Sequence, residues 1–340
     1  MKKTGDFAMM FYGGLLSSFN HFIEKGLYML RTGMHILGTV YRNPDDIPFD
    51  GFMKLKNAGF DTVDFNFEIF HEYDSLVATD GSCFYDRSIP ELKSFFEPYK
   101  RAAEECSLEL FQAHAPFHEY PEGDEAALSH ILEVQKKVIA LAGWMKIPYL
   151  VIHPFELNNP HDKAREKVIN TAFFSKLAPY AREAGVIICL ENLFITVGSI
   201  TREGVCANPY EAVLYIDELN READEERFGF CFDIGHAAML GSNIYEFLMM
   251  LGPRLKVLHL HENDCVNDQH GIPFTHSKYW CGESSTDWES LIMGLRDIHY
   301  SGSLNFETGS SLYTAPEALG DAVRTFTHEI GIYLAEKIGG

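Results

Sequence analysis

From residue 33 onward the chain alternates between two hydrophobic rhythms. Short runs rich in β-branched and aromatic residues fall at 33–38, 62–67, 108–113, 149–153, 186–190, 229–232, 255–260 and 303–306 and predict strands. Longer stretches with apolar residues at helical spacing follow them, at 52–57, 89–105, 125–144, 164–183, 209–220, 244–251, 288–297 and 316–337. Two boundaries carry their own punctuation: Lys54 to Gly59 to Asp61, and Glu183 to Gly185 to Val186, each read as helix, glycine stop, strand. Eight strands alternating with eight helices predict an α/β fold, a parallel sheet with helices outside, either open and doubly wound or closed. No G-x-G-x-x-G follows a strand, which removes the dinucleotide-binding signature, and the count of eight favours a closed (β/α)8 barrel. No linker rich in Pro, Gly or Ser interrupts it, so 33–340 reads as one domain.

Residues 1–32 read as an amphipathic N-terminal extension, helical from about 15 to 30 and packed outside the barrel. Lys2 and Lys3 ahead of the apolar stretch 7–19 mimic a signal sequence, but Asp6 interrupts the basic start and no small-x-small cleavage site follows. Seven cysteines without a CxxC pair read as reduced thiols of a cytoplasmic protein, and no apolar run is long enough to span a bilayer. With 28 Lys+Arg against 49 Asp+Glu, the net charge is −21. That balance argues against a general binder of phosphate backbones and suits a protein that gathers cations.

The strand ends concentrate the chemistry, because in a parallel barrel they line one mouth. In order they carry His114 (Gln-Ala-His-Ala-Pro), His153 (Val-Ile-His-Pro), Glu191 (Cys-Leu-Glu-Asn), Asp233 and His236 (Phe-Asp-Ile-Gly-His), His261 (His-Leu-His-Glu-Asn-Asp) and Glu307 (Asn-Phe-Glu-Thr). Asp268 and His270 follow in Asn-Asp-Gln-His. Any one of these is an ordinary loop residue. Closure forces them all into one ring, where unpaired carboxylates repel and a divalent cation relieves the repulsion. Mixed imidazole and carboxylate donors suit zinc, manganese, cobalt or magnesium.

These motifs resemble the xylose-isomerase-like TIM barrel superfamily, which includes sugar-phosphate isomerases and epimerases and the endonuclease IV family. The resemblance runs from about Gly33 to the last helix. Leu-Glu-Asn at 190–192, Phe-Asp-Ile-Gly-His-Ala at 232–237, His-Leu-His-Glu-Asn-Asp at 259–264, Gly282-Glu283 with Asp287-Trp288, and Asn-Phe-Glu at 305–307 carry it. It implies that Glu191, Asp233, His261 and Glu307 hold one divalent metal and that no nucleotide cofactor is used. Glu191 and Glu307 would move the proton alpha to a substrate carbonyl through an enediolate, while His236, His153 and His114 contact the substrate. The expected activity is isomerisation or epimerisation of a sugar or related polyhydroxy carbonyl compound. The endonuclease IV branch implies instead a multinuclear zinc site, with His114, His153, His236, Asp268 and His270 as additional ligands. A metal-bound sugar sensor without turnover is the third reading. Glu119, Glu122, Asp124 and Glu125 follow His114 where DNA would approach, so a small-molecule sugar, not nucleic acid or membrane, is the expected partner. A homo-oligomer is left open.

Departures from the family pattern narrow the choice. Ketohexose epimerases of this group carry a second glutamate after the one matching Glu191 and an arginine after the one matching His261; 193–198 and 262–266 hold neither. The usual Pro-Gly-Glu-Gly has become Trp280-Cys281-Gly282-Glu283-Ser284. Around the mouth, Phe65, Phe67 and Phe70 offer an aromatic wall, with Phe65 the most core-like, and Glu68 offers a carboxyl to substrate hydroxyls. Tyr279 and Trp280 are candidates for a lid, while Trp144 and Trp288 read as packing residues. Cys189 and Cys231 read as inert strand residues, and Arg202 and Lys278 stand too isolated to bind a phosphate.

Overall fold

Eight parallel strands build the sheet: β1 (Arg31–His35), β2 (Thr62–Asn66), β3 (Glu109–His114), β4 (Tyr149–Val151), β5 (Ile187–Glu191), β6 (Phe228–Asp233), β7 (Leu255–His259) and β8 (Ser303–Phe306). Their order is β8-β1-β2-β3-β4-β5-β6-β7, every neighbouring pair parallel. The ring closes at Leu260 and Phe306: the Leu260 amide donates to the Asn305 carbonyl at 2.9 Å, and the Glu307 amide to the Leu260 carbonyl at 3.0 Å. The result is a TIM barrel with helices on its outer face. The computed structural model describes residues 30–40, 48–71, 73–157, 162–278 and 283–339. Residues 1–29 of the expected extension lie outside the described residues.

Both faces of each strand are covered, which is why the strands read as nearly unbroken apolar runs rather than alternating ones. Inside the ring, Phe111, Val151, Cys189, Cys231 and Val257 form a separate buried plug. Side chains two apart share a face, so the next inward positions are His153, Glu191, Asp233 and His259. The plug thus fills one end of the barrel and hands the other to polar chemistry. Cys189 and Cys231 are fully buried in it, and burial pushes both thiols far up, which fits the inert role expected.

Polar caps set the starts of the outer helices. Asp124 accepts from the Ala126 and Ala127 amides to open Glu125–Met145, Asn208 from Glu211 to open Pro209–Ala223, and Asp287 from Ser290 to open Trp288–Asp297. Helices Ile89–Glu105, Ile244–Leu251 and Trp288–Asp297 keep the limits expected from sequence. Gly59 and Gly185 take positive φ, +109° and +70°, as the helix-stop reading requires. The strand expected at 149–153 ends at Val151, ahead of His153-Pro154, and β1 starts two residues early, at Arg31. The antiparallel hairpin Phe194–Val197 with Ile200–Glu203 has no sequence counterpart, because neither strand buries a face. Helices Ile234–Met239 and Gly309–Thr314 are too short to show a period. No helix among the described residues is long and apolar enough to cross a membrane.

Candidate active site at the barrel mouth

The strand ends and the segments that follow them bring all nine expected donors to one mouth, in three adjoining groups. In the first, His153 Nε2 lies 3.0 Å and His114 Nε2 3.6 Å from Glu191 Oε2, and the two Nε2 atoms are 3.1 Å apart. In the second, His261 Nε2 lies 3.1 Å from both oxygens of Asp233, and donor atoms of Asp233, His261 and Glu307 lie within 4.8 Å of one another. In the third, Asp268 stands 3.1 Å from His270 Nε2, 3.4 Å from His236 Nε2 and 3.7 Å from His261 Nε2. The quartet Glu191, Asp233, His261 and Glu307 is brought to one place but not into one tight set. Glu191 groups with Asp233 and His236, and Asp233 with His261 and Glu307, so Asp233 is the shared member.

Local structure explains these positions. Asp233 ends β6 and caps the helix that follows, accepting from the His236 amide at 2.7 Å; the same turn carries His236 back over Asn192, whose carbonyl faces its Nδ1 at 2.8 Å. His261 is held flat against His270, ring centroids 4.1 Å apart and planes 12° apart. The intervening Gly235 is required, because a Cβ there would fall 2.0 Å from the His261 ring.

Burial alone would push the carboxyls up. Glu191 is nonetheless held well below the ordinary range, because His259, His153 and His114 surround it. Asp233 is lowered against burial by His236 and His261. Glu307 is raised, burial outweighing His259 and His270. His114 reaches about 9 despite its burial, through its bond to Glu191 and the nearby Glu68, whereas burial holds His153 down to about 4. His261 Nδ1 and Asp268 Oδ1 are buried without a hydrogen-bond partner. Convergent carboxylates, imidazoles and orphaned donor atoms fit a divalent cation.

A layer beneath the mouth was not expected from sequence. Asp64 Oδ2 accepts from Gln112 Nε2 at 2.8 Å and Asn305 Nδ2 at 3.1 Å, and lies 3.4 Å from His259 Nε2. His259 Nδ1 in turn stands 3.1 Å from Glu191, and its Nε2 3.6 Å from Glu307. His259 therefore links the two glutamates and orients Glu191 from below, as outer partners orient metal ligands. The available signals were the aspartate at the centre of the strand Thr62–Asn66 and the alternation His-Leu-His at 259–261, which points both imidazoles inward.

A cavity of about 320 Å³ opens above the donors, and the ends of β1 and β2, Gln269 and the helix Gly309–Thr314 complete its lining. The expected aromatic wall is not there. Phe65, within β2, packs in the core against Phe96 and Tyr99 as its core-like reading expects, and Phe67 and Phe70 join it against Phe96 because the turn after β2 carries them toward the helix 89–105. Among the described residues, Phe117 and Tyr313 bring phenyl and phenol rings to the cavity lining. The acidic run after His114 is partly structural: Asp124 caps its helix and Glu122 pairs with Arg165. Tyr279 and Trp280 lie outside the described residues.

Trp288 is buried as expected, and its indole donates to Glu262 at 2.9 Å. Glu262 also accepts from the Phe274 and Thr286 amides and the Ser284 hydroxyl, and so ties down the segment after β7. Glu262→Ala strands several buried donors at once and is expected to lower stability by about 3 kcal/mol or more. A urea unfolding midpoint unchanged from wild type would contradict this.

The family model of the xylose isomerase-like TIM barrel matches residues 52–328. An uncharacterized protein of Sinorhizobium fredii is 23% identical over 207 residues, 61% of this chain and 61% of that protein, so the chain spans about three fifths of it. An inosose isomerase of Halalkalibacterium halodurans is 23% identical over 222 residues, 65% of this chain and 72% of the enzyme. Among solved structures, a D-tagatose 3-epimerase-like protein superposes with a TM-score of 0.62 at 20% identity, covering 91% of this chain and 98% of that one.

Proposed function

We propose, for a chain that belongs to the xylose isomerase-like TIM barrel family, a divalent-metal-dependent isomerase or epimerase of a sugar or related polyhydroxy carbonyl compound. The observation that carries this reading is the burial of Glu191 and Glu307 at one mouth, on either side of His259 and beside Asp233 and His261. The names of the inosose isomerase and the D-tagatose 3-epimerase-like protein agree with it.

Glu191, Asp233, His261 and Glu307 would hold the cation. When bound, it supplies Lewis-acid polarisation of the substrate carbonyl and charge stabilisation for an enediolate. Of the two glutamates, one takes the proton alpha to the carbonyl and the other returns it, from the same face in an isomerisation or the opposite face in an epimerisation. His259 holds Glu191 in place for that task. His236, His153 and His114 line the cavity and bind substrate oxygens. A reaction in the cytoplasm and a single-domain barrel from 33 to 340 complete the reading.

The test is exchange of the alpha hydrogen. Metal-loaded protein incubated in heavy water with D-tagatose, D-allulose and an inosose is expected to place deuterium on the alpha carbon of at least one, and chelator treatment to stop it. No exchange with any of them at full metal occupancy would sink the proposal. The crowding of His114, His153, His236, Asp268 and His270 around the quartet supports a second reading, an endonuclease IV-like enzyme with a multinuclear zinc site. Cleavage of abasic DNA, with no sugar exchange, would favour it. Sugar binding without exchange would favour the sensor.

A further inference from the structure

Strands β1 and β2 lie four places from β5 and β6 in a closed ring of eight, so their ends face Glu191 and Asp233 across the mouth. His35 ends β1 and Glu68 follows β2, and both line the cavity. Both ring nitrogens of His35 and Oε2 of Glu68 are buried without a hydrogen-bond partner. Buried polar atoms are nearly always partnered, so three orphaned atoms on one wall of a cavity mark where the polar atoms of a ligand belong.

We propose that His35 and Glu68 form a recognition subsite that holds hydroxyl groups of an uncharged polyhydroxy substrate, across the mouth from Glu191 and Asp233. The inference rests on the proposed action on a polyhydroxy carbonyl compound. The charge of the wall supports it. Burial pushes the Glu68 carboxyl up to about 8, so at neutral pH it is a neutral acid with one donor and spare acceptors. Burial holds the His35 imidazole down to about 3, which leaves a neutral ring with one donor and one acceptor. Each group matches a hydroxyl, which both gives and takes a hydrogen bond. Asn66, Gln269, Ser310 and Tyr313 extend the same neutral lining, and no Lys or Arg among the described residues lines the cavity. A phosphate would find no guanidinium or ammonium group on this wall. Gly309 keeps the subsite open: a Cβ there would stand 2.7 Å from His35 Nε2.

The experiment is calorimetric titration of metal-loaded wild type, Glu68→Ala, Glu68→Gln and His35→Ala with D-tagatose, D-allulose, an inosose and D-tagatose 6-phosphate. Metal content is measured on each protein. The best-bound neutral compound is expected to weaken about 10- to 100-fold in Glu68→Ala and His35→Ala. Glu68→Gln, which keeps a donor and an acceptor, should retain most of the affinity, and metal content should not change. Wild-type affinity in both alanine variants would overturn the subsite, as would preference for the 6-phosphate over D-tagatose. Should an alanine variant fail to fold, Glu68→Gln still decides: an affinity below a tenth of wild type would overturn the neutral-donor role. No binding of any compound by fully metal-loaded wild type is a different result, and it removes the substrate reading together with the subsite.

Discussion

Glu191→Gln is expected to cut alpha-hydrogen exchange about 10²- to 10⁴-fold, the range spanned by a positioned acid or base. The substitution keeps the size of the side chain and removes its charge. Glu191 is the most connected carboxylate of the mouth, within 3.6 Å of imidazole nitrogens from His114, His153, His236 and His259. An amide there can neither accept a proton from carbon nor balance four imidazoles. The companion Glu307→Gln tests the pair, since losing the partner that returns the proton should stall turnover by a comparable factor. Metal content measured beside activity separates lost chemistry from lost metal. A Glu191→Gln protein that retains metal and exchanges deuterium at the wild-type rate would show that proton transfer is done elsewhere.

Gly235→Ala is expected to weaken divalent-metal binding by at least about 10- to 100-fold while the barrel persists, the scale seen when a ligand loses its support. The added methyl would fall 2.0 Å from His261 Cε1 and 2.6 Å from Nε2. His261 has nowhere to go: it is fully buried, set against both Asp233 oxygens and stacked on His270. Forced overpacking of this kind also costs about 1–3 kcal/mol in stability. Calorimetric titration with Mn²⁺ or Zn²⁺ checks the first effect and circular dichroism the persistence of the fold. Wild-type metal affinity would mean that His261 is not a ligand. The glycine of Asp-Ile-Gly-His is thereby explained by close approach of a ring rather than by backbone conformation.

The barrel was legible because its signals are local. Alternating strand and helix periods, glycine stops and cap residues each act within a few residues, and eight repeats leave few topologies. The mouth donors were legible for the same reason: strand direction places every strand end on one side, so Glu191, Asp233, His261 and Glu307 had to share it. The aromatic wall failed because a helical turn after β2, invisible to a period of two, rotated Phe67 and Phe70 into the outer layer.

What the sequence determined by itself, then, is the closed α/β barrel, the end at which carboxylates and imidazoles gather and the kinds of atom found there. The tertiary structure alone decided how the nine donors divide into groups, that His259 stands between Glu191 and Glu307 on Asp64, and that His35 and Glu68 face the donors with nothing to bond. Those facts depend on the stagger and closure of the ring, which set Asp64 beside His259 and place His259 between Glu191 and Glu307. No local rule encodes the distance between residues so far apart in the chain; it follows from packing the whole barrel at once.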